Sequence, residues 1–60
     1  MSPADLLAYL KACQPRTPKQ IEIQARFGIG KSTVYDALVK LERAGQIKRA
    51  RYGRVIEVVG

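Results

Sequence analysis

One stretch of the chain has the residue types needed to bind phosphate. Residues 25–33 read ARFGIGKST, which fits the nucleotide-binding pattern G-x-x-x-x-G-K-[ST] if Ala25 replaces the first Gly. In that pattern the glycine-rich backbone wraps a phosphate, while Lys and a hydroxyl side chain contact phosphate and magnesium. A Lys and two hydroxyls at the start of a helix would also suit a phosphate group belonging to another molecule.

The rest of the chain argues against a nucleotide. A chain of 60 residues is far shorter than the domains that carry this loop, in which helices cover a parallel sheet. Ala25 falls inside a predicted helix rather than after a strand, and no acid follows a hydrophobic strand to hold magnesium. We therefore expect neither nucleotide hydrolysis nor any other enzymatic activity, and no cofactor.

Composition favours an acidic macromolecule as partner. Eleven Lys and Arg residues face five Asp and Glu residues, which gives a formal net charge of +6. A strongly basic small domain is typical of nucleic-acid binding, although charge alone also fits an ordinary basic surface. With one cysteine, Cys13, and no His, we expect no internal disulfide and no metal site. No apolar run approaches about 18 residues and the first residues do not resemble a signal peptide, so we expect a cytoplasmic protein that is not associated with a membrane.

Periodicity predicts one α+β domain, mainly α, over residues 1–60. Helix 1 covers about 3–13, helix 2 about 18–27 and helix 3 about 31–44, and a β-hairpin covers about 46–59. Ser2 and Thr17 are each predicted as an N-cap because a Pro follows both of them. Gly28 is expected to end helix 2 in a left-handed conformation, and the short break before helix 3 requires the two helices to cross steeply.

The stretch from Thr17 to about Val58 resembles a winged helix-turn-helix DNA-binding domain. Thr33 to Ile47 match its run T-V-Y-x-x-L-x-x-L-x-x-x-G-x-I, and Arg49 to Val58 are similar to its wing. The resemblance implies a three-helix domain with a C-terminal two-stranded wing and a role as a transcriptional regulator, without indicating a subfamily. The chain departs from the pattern at Gln24, where a small residue is usual, and at Gly30, where an N-cap with a side-chain oxygen is usual.

Helix 3 has one face for the core and one for DNA. Val34, Leu38 and Leu41 form an apolar stripe, and the residues shifted by two positions lie on the opposite side. Asp36 could accept from a cytosine amino group, and Val39 could contact a thymine methyl group. The alternative is a solvated face with Asp36 and Lys40 as an ion pair. The predicted contacts on this helix are Lys31, Ser32, Thr33, Tyr35, Asp36, Val39, Lys40 and Arg43.

The hairpin continues the basic surface. From Arg43 to Arg54 the chain has five basic residues and no acid, and Tyr52 lies at the predicted tip. Arg51 or Arg54 could enter a narrow minor groove, while the alternative is that these charges only protect an edge strand from aggregation. The predicted contacts in the wing are Lys48, Arg49, Arg51, Tyr52 and Arg54.

These features predict sequence-specific binding of double-stranded DNA, with helix 3 in the major groove and no small-molecule substrate. Two alternatives remain open at this point. The domain could serve replication, partition or excision in a plasmid or phage, or it could be a winged-helix module that binds another protein. A homodimer, formed through helix 1 or the last strand, is a weaker expectation than DNA binding.

Overall fold

Three helices precede a two-stranded sheet in the computed structural model, which describes residues 2–59. The helices are α1 (Pro3–Cys13), α2 (Gln20–Phe27) and α3 (Lys31–Arg43), and the strands are β1 (Ile47–Ala50) and β2 (Val55–Val58). The strands are antiparallel, and Ile47 is paired with Val58 and Ala50 with Val55. The predicted fold class, a mainly helical winged helix-turn-helix with a C-terminal hairpin, is confirmed. Within residues 2–59 no helix is long and apolar enough to cross a membrane.

Helix α1 begins as the sequence predicts. The Asp5 N–H donates to the Ser2 hydroxyl at 3.3 Å, and the Ser2 N–H donates to the Asp5 carboxylate at 3.4 Å. This reciprocal capping satisfies two backbone donors that a helix start otherwise leaves unpaired. The helix ends at Cys13, because the residue that follows it precedes Pro15 and takes an extended conformation (φ −54°, ψ 142°).

Helix α2 begins later than predicted, and the assignment of Thr17 as its N-cap is wrong. The N-cap is Lys19, whose N–H donates to the Glu22 carboxylate at 2.6 Å. Thr17 instead contacts strand β2: its hydroxyl accepts from the Ile56 N–H at 3.1 Å and lies 3.4 Å from the Ile56 carbonyl. A single side chain thus pairs with the outer edge of β2, as a third strand would.

The core places α3 between the other elements. All three helices and both strands contribute buried side chains, and α3 contributes the most, with Val34, Ala37, Leu38 and Leu41. Each fully buried Val or Leu side chain stabilises a fold by about 1.5–3 kcal/mol. Because the apolar stripe of α3 is buried against α1, α2 and β1, its opposite face is left for solvent or a partner.

The turn between α2 and α3 contains two glycines with different conformations. Gly28 is left-handed (φ 64°, ψ 40°), and its N–H donates to the Gln24 carbonyl at 2.8 Å. Gly30 is extended (φ −84°, ψ 169°) and caps α3 with no side-chain oxygen. Both glycines have the roles predicted for them. Gln24, the other departure from the family pattern, is half-buried on α2.

Candidate nucleic-acid interface

The outward face of α3 carries most of the residues predicted to contact DNA. Ser32, Asp36, Lys40 and Arg43 are exposed, as the helical spacing requires, whereas Val39 is half-buried rather than fully exposed. Among residues 2–59 two ion pairs form, and neither contains Asp36 or Lys40. The polar groups on this face are therefore not paired with each other and remain available to a partner.

The start of α3 offers a site for phosphate. Lys31, Ser32 and Thr33 are all exposed there. The first N–H groups of a helix have no partners within it, and the helix dipole adds partial positive charge at this end. Since Gly30 provides no capping side chain, the donors of this end are not covered by a side-chain oxygen from the cap residue.

The tip of the hairpin presents its side chains away from the core. Gly53 N–H donates to the Ala50 carbonyl at 3.1 Å, and Arg54 N–H donates to the Arg51 carbonyl at 3.2 Å. Arg51 and Tyr52 both have positive φ angles, 53° and 60°. Arg51, Tyr52 and Arg54 are exposed, and Tyr52 is fully so.

Three adjoining clefts connect the tip to α3. Lys31, Ser32, Tyr35, Asp36 and Gln20 line the first. Gln20 and Tyr35 also line the second, a cleft of about 180 Å³ that reaches Arg49, Tyr52 and Gly53. The third shares Gln20, Tyr52 and Gly53 with the second and adds Lys19 and Arg54. We name this continuous region the α2–α3–wing surface.

Arg49 lies inside this surface in close contact with α3. Its Nε and Nη2 donate to Oε1 of Glu42 at 3.2 and 2.8 Å, and its guanidinium carbon lies 5.5 Å from the centre of the Tyr35 ring. The hydrogen bond from Arg49 lowers the pKa of the Glu42 carboxyl, and the same bond raises the pKa of Arg49. Arg49 is thus bound to the protein itself, unlike the exposed arginines at the tip.

Comparison with protein families identifies the arrangement. The IclR helix-turn-helix domain matches residues 4–51, which include α2, α3, β1 and nearly all of α1. The chain belongs to the IclR helix-turn-helix family. It is therefore a DNA-binding domain of the transcriptional-regulator type, and the subfamily that the sequence pattern left unassigned is supplied by this match. Searches of curated proteins and of solved structures found no match.

The three clefts of this IclR-type domain include only some of the predicted residues. The predicted residues that line none of them are Thr33, Val39, Lys40, Arg43, Lys48 and Arg51. Lys48 is exposed and is paired in register with Glu57 on β2. Because successive side chains of a strand point to opposite faces, Lys48 and Arg49 lie on opposite faces of the hairpin. Lys48 is therefore on the other side of the hairpin. The predicted residues that the clefts do bring together are Lys31, Ser32, Tyr35, Asp36, Arg49, Tyr52 and Arg54.

Sequence reasoning missed three residues that line the α2–α3–wing surface or contact one of its residues. Lys19 and Gln20 open α2 beside the wing tip, and the Gln20 amide lies 3.5 Å from the Lys31 carbonyl. The sequence placed Lys19 inside the helix, whereas Lys19 is the N-cap of α2. Gln20 was missed because its contact with Lys31 joins two different helices. Glu42 was missed because its partner Arg49 is on a different element. No three His, Cys, Asp or Glu residues group to hold a metal within the described chain.

Proposed function

We propose that the chain binds double-stranded DNA sequence-specifically as a small transcriptional regulator. In this proposal α3 enters the major groove, and the wing contacts the backbone or the minor groove beside it. The observation that carries the proposal is the continuity of the α2–α3–wing surface, which joins the N-terminal part of the exposed face of α3 to the basic tip of the hairpin. A major groove is wide enough to admit one α-helix.

The α3 residues fall into two groups, those that would contact phosphates and those that would contact base edges. Lys31, Ser32 and Thr33 at the helix start would hold one phosphate, and Lys40 and Arg43 would reach phosphates on the far side. Asp36, in the middle of the exposed face, would accept a hydrogen bond from a cytosine amino group. Val39 would contact a thymine methyl group with the part of its side chain that remains exposed.

The wing would provide the second contact. Arg51 and Arg54 are exposed at its tip with Tyr52 between them, and neither arginine forms an ion pair within residues 2–59. A narrow, A·T-rich minor groove concentrates negative potential and attracts arginine side chains. The turn connecting α2 and α3, which fits a nucleotide-binding pattern, would in this account contact a phosphate of the DNA backbone.

A charge-reversal pair tests the proposal. Arg54→Glu should weaken binding to a duplex selected from a random pool by more than about ten-fold, because it replaces an attraction to phosphate by a repulsion. Lys11→Glu is the matched control: it changes the net charge equally, but it lies on α1, which contributes no residue to the α2–α3–wing surface. Its effect should be within about two-fold.

Equal effects of the two substitutions would contradict a localised interface. An unchanged affinity for the Arg54→Glu variant would instead favour a module that binds protein, because such a module has no need of the wing charges. Both variants alter exposed side chains, so thermal melts should show that each remains folded. A small loss of stability is expected for Lys11→Glu, because Lys11 is in the last turn of α1.

A further inference from the structure

Arg49 differs from the other basic residues of the wing in how its charge is used. It is the basic residue of the hairpin that contacts α3, whereas Arg51 and Arg54 are exposed at the tip. We propose that Arg49 is a positioning residue that holds the wing against α3, and that it is not one of the phosphate contacts. This inference rests on the proposed binding of DNA by the α2–α3–wing surface.

Arg49 contacts α3 at two points, Glu42 and Tyr35, and we call this pair of contacts the Arg49 clamp. Glu42 accepts two hydrogen bonds from Arg49, and the Tyr35 ring lies 5.5 Å from the same guanidinium. Tyr35 and Glu42 are two helical turns apart, a rise of about 10.5 Å along the axis. One side chain of β1 is therefore tied to both halves of the helix that is proposed to enter the major groove.

The ion pair also removes Arg49 from the charge available to DNA. The Arg49 side chain is 21% exposed and that of Glu42 is 39% exposed, so both groups lie near the surface as a neutral pair. Counterion release depends on the number of phosphates that unpaired cations neutralise. An arginine whose charge is compensated by a carboxylate at 2.8 Å adds little to that number.

A clamp of this kind fixes the spacing between the two DNA contacts. The cleft between Tyr35 and the tip residues Tyr52 and Gly53 is bounded by Arg49 itself. If the clamp opens, the wing and α3 can no longer be held at one separation, and simultaneous contact with a groove and its flanking phosphates costs more entropy. Binding that depends only on charge is not weakened, because every exposed cation is retained.

Glu42→Gln should change DNA affinity in opposite directions, depending on whether electrostatics alone governs binding or Arg49 positions the wing. If electrostatics alone governs binding, removing a carboxylate from this surface and freeing Arg49 should strengthen binding to any duplex. If Arg49 positions the wing, Glu42→Gln should weaken binding to the selected duplex by about three- to ten-fold, whereas binding to a scrambled duplex of equal length should not be weakened. Retained binding to the scrambled duplex also shows that the variant is folded.

Two substitutions of Arg49 complete the test. Arg49→Lys retains the charge but not the paired hydrogen bonds or the stacked guanidinium, so it should be impaired about as much as Arg49→Gln. The salt dependence of both should equal that of the parent, and Glu42→Gln/Arg49→Gln should be no weaker than either single variant.

Some results would overturn this inference and leave DNA binding intact. One is tighter binding of the selected duplex by Glu42→Gln, and another is full affinity of Arg49→Lys for that duplex. The third is a salt slope that is smaller by about one in Arg49→Gln. If the parent chain binds no duplex, the proposed function itself fails.

Discussion

The turn between α2 and α3 and the tip of the wing both reverse the chain through left-handed backbone, but with different residues. The first uses Gly28 at φ 64°. The second uses Arg51 and Tyr52 at φ 53° and 60°, followed by Gly53 at φ 86°. A left-handed conformation costs an L-residue about 1–2 kcal/mol, a cost that glycine avoids. The chain therefore has an unstrained turn in one place and a strained turn in the other.

The difference between the two turns indicates where a side chain is needed despite backbone strain. No atom lies within 4 Å of a Cβ built on Gly28, so its φ angle, not crowding, explains the glycine. At the tip, Asn and Gly would suit the two central positions better than Arg and Tyr. Strained residues persist where their side chains serve a function, and the exposed tip fits the proposed contact with DNA.

The largest expected change in stability comes from Gly28→Ala. The added Cβ meets open space, so the backbone alone should lower the free energy of unfolding by about 1–2 kcal/mol. Urea denaturation followed by circular dichroism measures it. A loss below about 0.3 kcal/mol would contradict the role assigned to the φ angle at this turn.

Substitution of the strained residues at the wing tip should raise the free energy of unfolding rather than lower it. Arg51→Asn/Tyr52→Gly removes two strained residues and should raise the free energy of unfolding by about 1 kcal/mol. The same variant should bind a selected duplex more than about ten-fold more weakly, because both proposed contacts are lost. Urea denaturation and a duplex titration measure the two effects.

A second variant separates the two effects at the tip. Arg51→Ala/Tyr52→Ala removes the side chains but keeps residues that are strained at positive φ. It should bind DNA as weakly as Arg51→Asn/Tyr52→Gly without its gain in stability. Full affinity in either variant would show that the strain does not serve DNA binding.

At the start of α3 we expect a smaller change in the free energy of unfolding. Gly30 has the backbone conformation of an N-cap but no oxygen, so Gly30→Ser should raise the free energy of unfolding by a few tenths of a kcal/mol, about 0.3 kcal/mol. Thermal melts of the two chains measure the difference. A destabilised Gly30→Ser variant would show that this position is not a simple cap.

At the start of α2 the expected change in stability is the smallest, and it depends on pH. The Lys19 N–H and then Arg16 lower the pKa of Glu22 from its ordinary value of 4.5. Glu22 therefore stabilises the fold above pH 4.5, and this contribution is lost as the pH falls through the lowered pKa. Parent and Glu22→Gln chains should differ in melting temperature at about pH 6, and this difference should shrink as the pH falls below 4.5. A difference that grows at low pH would reverse the sign of this linkage.

Local patterns predicted the parts of the fold that depend on neighbours in sequence. The Ser2–Asp5 cap, the left-handed Gly28 and the buried stripe of α3 each follow from residues within one or two turns. Thr17 has the same local pattern as Ser2 but contacts Ile56, a residue 39 positions away. A cap and a strand-edge contact compete for one hydroxyl, and only tertiary packing determines the result.

The candidate site was predictable to the same extent. Helical spacing placed Ser32, Asp36 and Arg43 on the exposed face of α3, where the structure has them. The separation of Lys48 from Arg49 depends on the face of the hairpin that packs on α3, and the contact of Arg49 with Glu42 depends on two elements meeting. Sequence could count these basic residues but could not assign their partners.

The most direct test of the central claim is the salt dependence of binding to a duplex selected from a random pool. If the α2–α3–wing surface neutralises about six phosphates, the logarithm of the association constant should fall with the logarithm of salt concentration at a slope near about −5. The selected duplex should also bind more tightly than a scrambled one at every salt concentration. A slope near zero, or equal affinity for the two duplexes, would contradict sequence-specific binding of DNA by this surface.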